Sequence, residues 1–256
     1  MCIIVYKPQT QPMPNKSILE TCFEQNPDGA GYMYAFEGKV QIRKGFMTFD
    51  KFYKALSKSI ALTGEGVPYV LHFRISTQGG NRKDCTHPYP LSSNMANLRL
   101  LQASTNIGIA HNGIISLTSN SFNKTITYND TMLFITDYLS LIIENENYYK
   151  NGRIIELISR LCESKLAILD RNGHCELIGK DWIKDNGIYY SNNTYEPCVL
   201  DFPYSYYNGA QFDIFESKYN EQKGVYDFDE YDCPMTYYGI EEYCECCANY
   251  YNCCNL

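Results

Sequence analysis

Two tight turns between short apolar runs constrain the fold of this chain more than any other feature of its sequence. Glu37-Gly38 separates residues 31–36 from 39–44, and Arg171-Asn172-Gly173 separates residues 166–170 from 174–178. Each pattern predicts a β-hairpin, because glycine and asparagine reach the backbone angles that a tight reversal needs. Hairpins join antiparallel neighbours, whereas parallel strands need long crossovers, so the sequence predicts antiparallel sheets.

Helical spacing of apolar residues places the helices mainly in the middle of the chain. The predicted helices are residues 17–25, 49–61, 130–144 and 152–162, and further strands are predicted at 2–6, 67–75, 107–110 and 187–191. Residues 81–104 are predicted to be irregular. Strands first, helices next and strands again indicate an α+β domain in which helices pack on the outer faces of antiparallel sheets.

The charge of the chain divides it into two parts. Of its 256 residues, the last 56 (201–256) contain 11 Asp and Glu but only 2 Lys and Arg, within a net charge of −7 for the whole chain. We therefore predict a domain over residues 1–199 and an acidic, tyrosine-rich extension over 200–256. The chain thus combines a domain of nearly neutral charge with an acidic extension. This distribution argues against direct nucleic-acid binding, because the sequence of the domain shows no basic patch and the acidic extension would repel phosphates.

The sequence contains neither a long apolar segment nor a signal-like start. No run of 18 apolar residues is present, so no membrane span is expected, and the N-terminus lacks the basic region of a signal peptide. We expect a cytoplasmic, reducing location. The 12 cysteines are then better interpreted as core thiols, metal ligands or nucleophiles than as a disulfide framework.

Several of these cysteines cluster near the C-terminus. Cys244 and Cys247 form a Cys-x-x-Cys pair, and Cys253 with Cys254 could complete a tetrahedral thiolate site. Zinc favours such ligand sets, and a structural zinc would order an extension that lacks a core of its own. Free or oxidisable thiols, or disulfides, remain alternative interpretations of the same cysteines.

Cys2 is the residue with the most specific chemical potential. Removal of Met1, which a small second residue permits, would leave a cysteine that carries both a thiol and a free α-amine. An α-amine has a pKa of about 7.7–8.0, so it can accept the thiol proton near neutral pH. An N-terminal nucleophile thus carries its own general base. A chain that retains Met1 is expected to be an inactive precursor.

Three further segments, which contain Asn112 with Gly113, Arg74 with Thr77, and Asp130, supply groups that an attack on an amide needs. Asn112-Gly113 could form an oxyanion hole from a side-chain amide and a backbone N–H, although Asn-Gly is also an ordinary hairpin turn. Arg74 suits a carboxylate, or else a structural ion pair. Thr77 could bind the same carboxylate or stabilise its loop, and Asp130 could bind an ammonium group or cap its helix and interact favourably with the helix dipole.

The order of these motifs resembles that of the class II glutamine amidotransferases, the N-terminal-cysteine branch of the Ntn hydrolases. Over residues 2 to about 195 the chain has an N-terminal Cys, then His-Phe-Arg-Ile-Ser-Thr, then His-Asn-Gly-Ile-Ile, then Asp-Thr opening a helix. An Asn-Pro-Asp-Gly turn at 26–29, Thr-His-Pro at 86–88, Leu-Ala-Ile-Leu at 166–169 and Tyr-Ser-Asn at 190–192 are also similar to family segments.

The resemblance implies a fold, an activity and a set of site residues. It implies the αββα sandwich of this family and a stand-alone glutaminase, similar to those carried by bacteriophages, that needs no cofactor and supplies ammonia to a separate acceptor enzyme. Cys2 would be the nucleophile, and Asn112 with Gly113 the oxyanion hole. Arg74, Thr77 and Asp130 would hold the α-groups of L-glutamine.

Two departures from the family pattern keep other functions open. Ile75 and Gln78 stand where the best-known members have Trp and His. The substrate could therefore be another amide or a γ-glutamyl compound. A third interpretation is a non-catalytic scaffold with a metal-dependent interaction module at its C-terminal end.

Overall fold

The computed structural model of the protein describes residues 2–76, 80–116 and 128–197, together with two short strands at Tyr219–Asn220 and Val225–Tyr226. The chain divides into two units, residues 1–199 and 200–256. In the second unit the two described strands pair with each other in antiparallel fashion.

Strands and helices are interspersed along the described part of the first unit. Its strands are β1 (Ile3–Lys7), β2 (Ala30–Phe36), β3 (Lys39–Phe46), β4 (Tyr69–Phe73), β5 (Tyr89–Pro90), β6 (Gln102–Thr105), β7 (Ile107–Asn112), β8 (Lys165–Asp170), β9 (Cys175–Ile178), β10 (Ile183–Asp185) and β11 (Ile188–Tyr190). Its α-helices are α1 (Lys16–Glu24), α2 (Phe49–Thr63), α3 (Met95–Leu98), α4 (Asp130–Phe134), α5 (Ser140–Ile142) and α6 (Gly152–Cys162). A π-helical segment, Ile135–Leu139, joins α4 to α5, and single 3₁₀ turns lie at Lys83–Cys85 and Tyr148–Lys150.

The strands form two antiparallel sheets. One has seven strands in the order β10-β11-β1-β4-β2-β3-β6, and the other has four in the order β5-β7-β8-β9. Both hairpins predicted from the sequence are present, as the pairs β2–β3 and β8–β9. The fold class is therefore α+β with antiparallel sheets, as the hairpin pattern predicted.

Successive side chains along each strand point to opposite faces of the sheet, so both faces of each sheet carry apolar residues. The result is three apolar layers, one between the sheets and one on the outer face of each sheet. The layer between the two sheets contains Ile4, Met33 and Val70 from the larger sheet and Ala110 and Leu169 from the smaller one. The opposite face of the larger sheet packs against α1 and α2, and the opposite face of the smaller sheet packs against α3–α6. Each sheet thus has helices on its outer face.

Gly108 shows how closely the two sheets approach each other. A Cβ atom at this position of β7 would lie 2.5 Å from Met33 Sδ and 3.0 Å from Val40 Cγ1. Real Cβ atoms do not come that close, so a side chain here would push the sheets apart. The absence of a side chain at Gly108 permits the tight packing of the inner layer.

The prediction that residues 81–104 are irregular was wrong. This stretch contains the 3₁₀ turn, β5, α3 and β6, and β10 was also not predicted. β5 has two residues, α3 has four and β10 has three, so none is long enough to show a period in the sequence. The strands β5, β6 and β10 are defined by their pairing with β7, β3 and β11, respectively. Such pairing between separate strands leaves no local pattern in the sequence.

In the described ranges, no helix is long and apolar enough to cross a membrane.

Candidate active site

Strand alternation brings Cys2, Arg74 and Asn112 towards one end of the layer between the sheets. Ile4 of β1, Val70 of β4 and Ala110 of β7 all point into that layer. Residues two or four positions further along the same strands share that side. Because β1 and β4 are antiparallel, with Ile3 opposite Phe73, the N-terminal end of β1 and the C-terminal end of β4 coincide. Cys2 therefore comes next to Arg74.

The Cys2 thiol lies against the backbone of Ile75. Its Sγ accepts a hydrogen bond from the Ile75 N–H and donates one to the Ile75 carbonyl, both at 3.3 Å. Burial raises the pKa of the Cys2 thiol above its ordinary value, while the Ile75 N–H and the nearby Arg74 guanidinium lower it in part. The thiol is held in one position, and it needs a base in order to become a thiolate.

Ser191 and Asn192 hold the backbone at the start of β1. The Ser191 hydroxyl accepts a hydrogen bond from the Ile4 N–H at 2.8 Å, and the Asn192 amide donates to the Cys2 carbonyl at 2.7 Å. Ser191 N–H also donates to the Ile4 carbonyl at 2.9 Å. In the sequence, these two residues stand out only as part of the Tyr-Ser-Asn segment at 190–192, which by itself predicts no role for them.

Asn112 is the last residue of β7 and is almost completely buried, with 6% of its surface exposed. Its Nδ2 donates to the Ser191 hydroxyl at 2.8 Å. Among the described residues, its Oδ1 has no hydrogen-bond partner. Ser191 thus connects the asparagine of the predicted oxyanion hole to the strand that follows Cys2.

Gly113 requires glycine for both conformational and steric reasons. Its φ of +143° is rarely adopted by residues with side chains, and a Cβ atom would lie 2.5 Å from Ser164 Cβ. The His111 ring lies on the same side as Ser164, with its nitrogens 2.8 Å from Thr131 Oγ1 and 2.7 Å from Ser164 Oγ. The backbone of Asn112-Gly113 is therefore positioned by contacts on several elements.

Arg74 lies directly after β4 and is 3% exposed. Its guanidinium donates to the Gly80 carbonyl at 2.9 Å, and its backbone pairs with Asp28 and Gly29. The Asp28 carboxylate in turn accepts from the Ser76 N–H at 2.7 Å. Arg74 and Asp28 thus contact Gly80 and Ser76, respectively, and the predicted ligand Thr77 lies outside the described residues.

Asp130 is the first residue of α4 and not its cap. The preceding residue, Asn129, is the N-cap and accepts a hydrogen bond from the Met132 N–H at 2.9 Å. The Asp130 carboxylate accepts from the Ile115 N–H at 2.9 Å and from the Thr131 N–H at 2.8 Å. Asp130 therefore connects α4 to the segment that follows Gly113.

Three buried histidines support this end of the sheets. His72 Nε2 lies 2.9 Å from the His111 carbonyl, and the His72 and His87 rings are 4.2 Å apart. Burial lowers the pKa of His72 to about 3 and that of His111 to about 4, and it places the pKa of His87 well below its ordinary value. All three rings are therefore neutral near pH 7.

The predicted zinc ligands Cys244, Cys247, Cys253 and Cys254 lie outside the described residues, so the zinc site stays a prediction. Within the described part of the chain, no group of three or more His, Cys, Asp and Glu side chains is arranged to hold a metal ion.

No protein-family model matches this chain, and no curated protein sequence matches it. A functional assignment of this chain therefore depends on the geometry and chemistry of its own residues.

Proposed function

We propose that this protein is a glutaminase of the class II amidotransferase type, with the αββα sandwich of the Ntn hydrolases. The observation that carries the proposal is that Cys2 and Arg74 lie side by side at one end of the inner layer, while Asn112 is linked through the Ser191 hydroxyl to β1. A nucleophile, a carboxylate-binding cation and an amide donor are the groups that hydrolysis of the glutamine side-chain amide requires.

In the proposed reaction Cys2 is the first residue of the mature chain. Its α-amine accepts the thiol proton, and the thiolate forms a C–S bond to the side-chain amide carbon of glutamine. Nδ2 of Asn112 and the N–H of Gly113 stabilise the oxyanion that develops. The C–N bond then breaks, and ammonia leaves with the proton returned by the amine.

Water completes the proposed cycle. The α-amine takes a proton from a water molecule, and the resulting hydroxide adds to the thioester carbon. The C–S bond breaks, glutamate leaves and the sulfur recovers its proton. We propose that a separate acceptor enzyme consumes the ammonia that this reaction releases. In this scheme Arg74 and Thr77 bind the α-carboxylate of glutamine, and Asp130 binds its α-ammonium.

The test is a glutaminase assay on protein whose N-terminus has been determined by mass spectrometry. Protein that begins at Cys2 is expected to release glutamate and ammonia from L-glutamine. Cys2→Ala should lower the rate by at least about a thousandfold, because no other group replaces the nucleophile. Cys175→Ala is the matched control, since Cys175 is the other half-buried cysteine in the described ranges. Activity in Cys2→Ala, or in protein that keeps Met1, would contradict the proposal.

A second candidate is an amidase of the same mechanism that acts on another amide or γ-glutamyl compound. Ile75, in place of the Trp of the best-known family members, is the observation that favours it, because this residue directly contacts the Cys2 thiol through its backbone. A substrate panel distinguishes the two candidates. Cys2-dependent hydrolysis of other amides without hydrolysis of glutamine would favour the second.

A further inference from the structure

The face of the larger sheet that carries α2 contains a cationic groove. Arg43 of β3 lies across from Lys51, Lys54 and Lys58 of α2, and the four side chains line a cavity of about 420 Å³. The three lysines follow one another at helical spacing, so they share one side of α2. Buried Tyr34 and Ser59 and the aliphatic Ala55 and Leu62 complete the lining.

No acidic side chain lines this cavity. Among the described residues, none of the four cations forms an ion pair. Four like charges around one concave surface raise the local concentration of anions, and their mutual repulsion is relieved when an anion binds. The cationic groove is thus a place where a multiply charged anion would be stabilised.

A second cavity of about 260 Å³ adjoins the first through Arg43, which lines both. Its polar side chains are Gln41, Gln102 and Ser104. The strand register places Gln102 opposite Arg43 and Ser104 opposite Gln41, and these residues alternate with Ile42 and Ala103, which pack into the inner layer. The amide and hydroxyl groups therefore lie on the same face of the sheet as the cationic groove.

We propose that these two cavities together bind a nucleoside di- or triphosphate. Arginine and lysine side chains are the groups that bind phosphates most strongly, and four of them match the charge of a triphosphate. Side-chain amides and hydroxyls in the adjoining cavity suit the hydroxyl groups of a ribose and the edge of a base. Cavities of these volumes fit a metabolite and not an extended nucleic-acid strand.

This nucleotide site is independent of the proposed glutaminase activity. It lies on the α2 face of the larger sheet, whereas Ile4, Val70 and Ala110, which lead to the candidate active site, lie in the layer between the sheets. Its failure or success in the test below therefore leaves the glutaminase proposal unaffected.

The experiment measures binding of ATP, GTP and inorganic tripolyphosphate to the full chain by isothermal titration calorimetry at low ionic strength. The Lys54→Ala/Lys58→Ala variant should raise the Kd for all three probes by at least about tenfold, because it removes two phosphate contacts. Alanine keeps α2 helical, so this variant is expected to fold. Arg153→Ala/Lys180→Ala removes the same charge from exposed positions elsewhere and should change Kd less than about twofold.

Gln102→Ala tests the nucleoside part of the proposal. It should weaken ATP or GTP binding by about three- to tenfold and leave tripolyphosphate binding unchanged, since it removes one hydrogen-bonding group. Absence of nucleotide binding, equal Kd values in the lysine variant and its control, or an unchanged ATP and GTP affinity in Gln102→Ala would each overturn the proposal. So would tight binding of a single-stranded oligonucleotide without binding of the mononucleotides.

Discussion

The side-chain amide of Asn112 donates a hydrogen bond to the hydroxyl of Ser191 at 2.8 Å. The same hydroxyl accepts the backbone N–H of Ile4, also at 2.8 Å, and the next residue, Asn192, donates to the Cys2 carbonyl. Ser191 and Asn192 directly follow β11. The segment at the end of β11 therefore connects β7 of the smaller sheet to the start of β1. The positions of Cys2 and Asn112 depend on this connection.

Ser191→Ala should reduce both stability and glutamine turnover. The variant leaves a buried N–H of Ile4 without its acceptor, which costs about 1–3 kcal/mol of unfolding free energy. It also releases the Asn112 amide, which is an oxyanion donor in the proposed reaction, so we expect kcat to fall by about 100-fold. Denaturant unfolding and steady-state kinetics measure the two effects.

Ser104→Ala is the control for Ser191→Ala. The Ser104 hydroxyl accepts an exposed hydrogen bond from Gln41, so its removal should change stability by less than about 0.5 kcal/mol. A Ser191→Ala variant as stable and as active as the wild type would show that this hydroxyl positions neither Ile4 nor Asn112.

Gly113→Ala should destabilise the protein by more than its backbone angle alone explains. The new Cβ would collide with Ser164 Cβ at 2.5 Å, and overpacking of this kind costs about 1–3 kcal/mol beyond the strain of a positive φ. Gly38→Ala is the comparison, because Gly38 has a φ of +69°, in the left-handed region that alanine adopts at a cost of about 1–2 kcal/mol, and has no atom within 4 Å of a Cβ. Similar unfolding free energies for the two variants would contradict the described contact.

Arg74→Lys should raise the KM for glutamine by about 10- to 100-fold, because lysine cannot bind a carboxylate with two parallel hydrogen bonds. The loss should be much smaller for an amide substrate in which the α-carboxylate is replaced by a neutral carboxamide. Kinetics with both substrates test this difference. An equal loss for both would mean that Arg74 acts through its hydrogen bond to the Gly80 carbonyl and not on the carboxylate.

Stability should fall as the pH falls below about 6.5. Burial holds the pKa of His72 at about 3 and that of His111 at about 4, and it places that of His87 lower than its ordinary value. At about pH 7.5 and above, these rings are almost entirely neutral in both states, because the imidazoles of the unfolded chain have a pKa of about 6.5, so they add little pH dependence there. Between about pH 6.5 and 4 the unfolded chain binds protons that the folded protein excludes, so unfolding becomes easier.

Urea unfolding at pH 7.5, 6.0, 5.0 and 4.0 measures this proton uptake. His87→Phe should reduce the uptake on unfolding by about one proton, because it removes one buried titrating group. His174→Gln is the control, since the His174 side chain is 36% exposed. An unfolding free energy that does not change between pH 7.5 and 5.0 would contradict the buried, neutral state of the histidines.

The sequence predicted those parts of the fold whose signals are local. Glu37-Gly38 and Arg171-Asn172-Gly173 predicted the two hairpins, and the apolar spacing of residues 152–162 predicted α6 with its bounds. Such signals succeed because turn residues and helical periodicity act between neighbours in the chain. Helix 130–144 was also predicted, but the π-helical segment within it was not.

The candidate site could be predicted only as a set of residue types. Cys2, Arg74 and Asn112 stand out because of the chemistry of their side chains, and strand ends were expected near each of them. Their common location could not be predicted, because it depends on the antiparallel register of β1 with β4 and on the hydrogen bond from Asn112 to Ser191. Neither leaves a local pattern in the sequence.

The sequence by itself determined the antiparallel α+β class and singled out Cys2 as a candidate nucleophile. Tertiary structure alone decided that Ser191 connects β1 to Asn112, that Asn129 and not Asp130 caps α4, and that Arg43 faces Lys54 and Lys58. The physical reason is the range of the interactions. Propensity and turn chemistry act over a few residues, whereas register, sheet packing and clusters of charge arise only when distant segments are brought together.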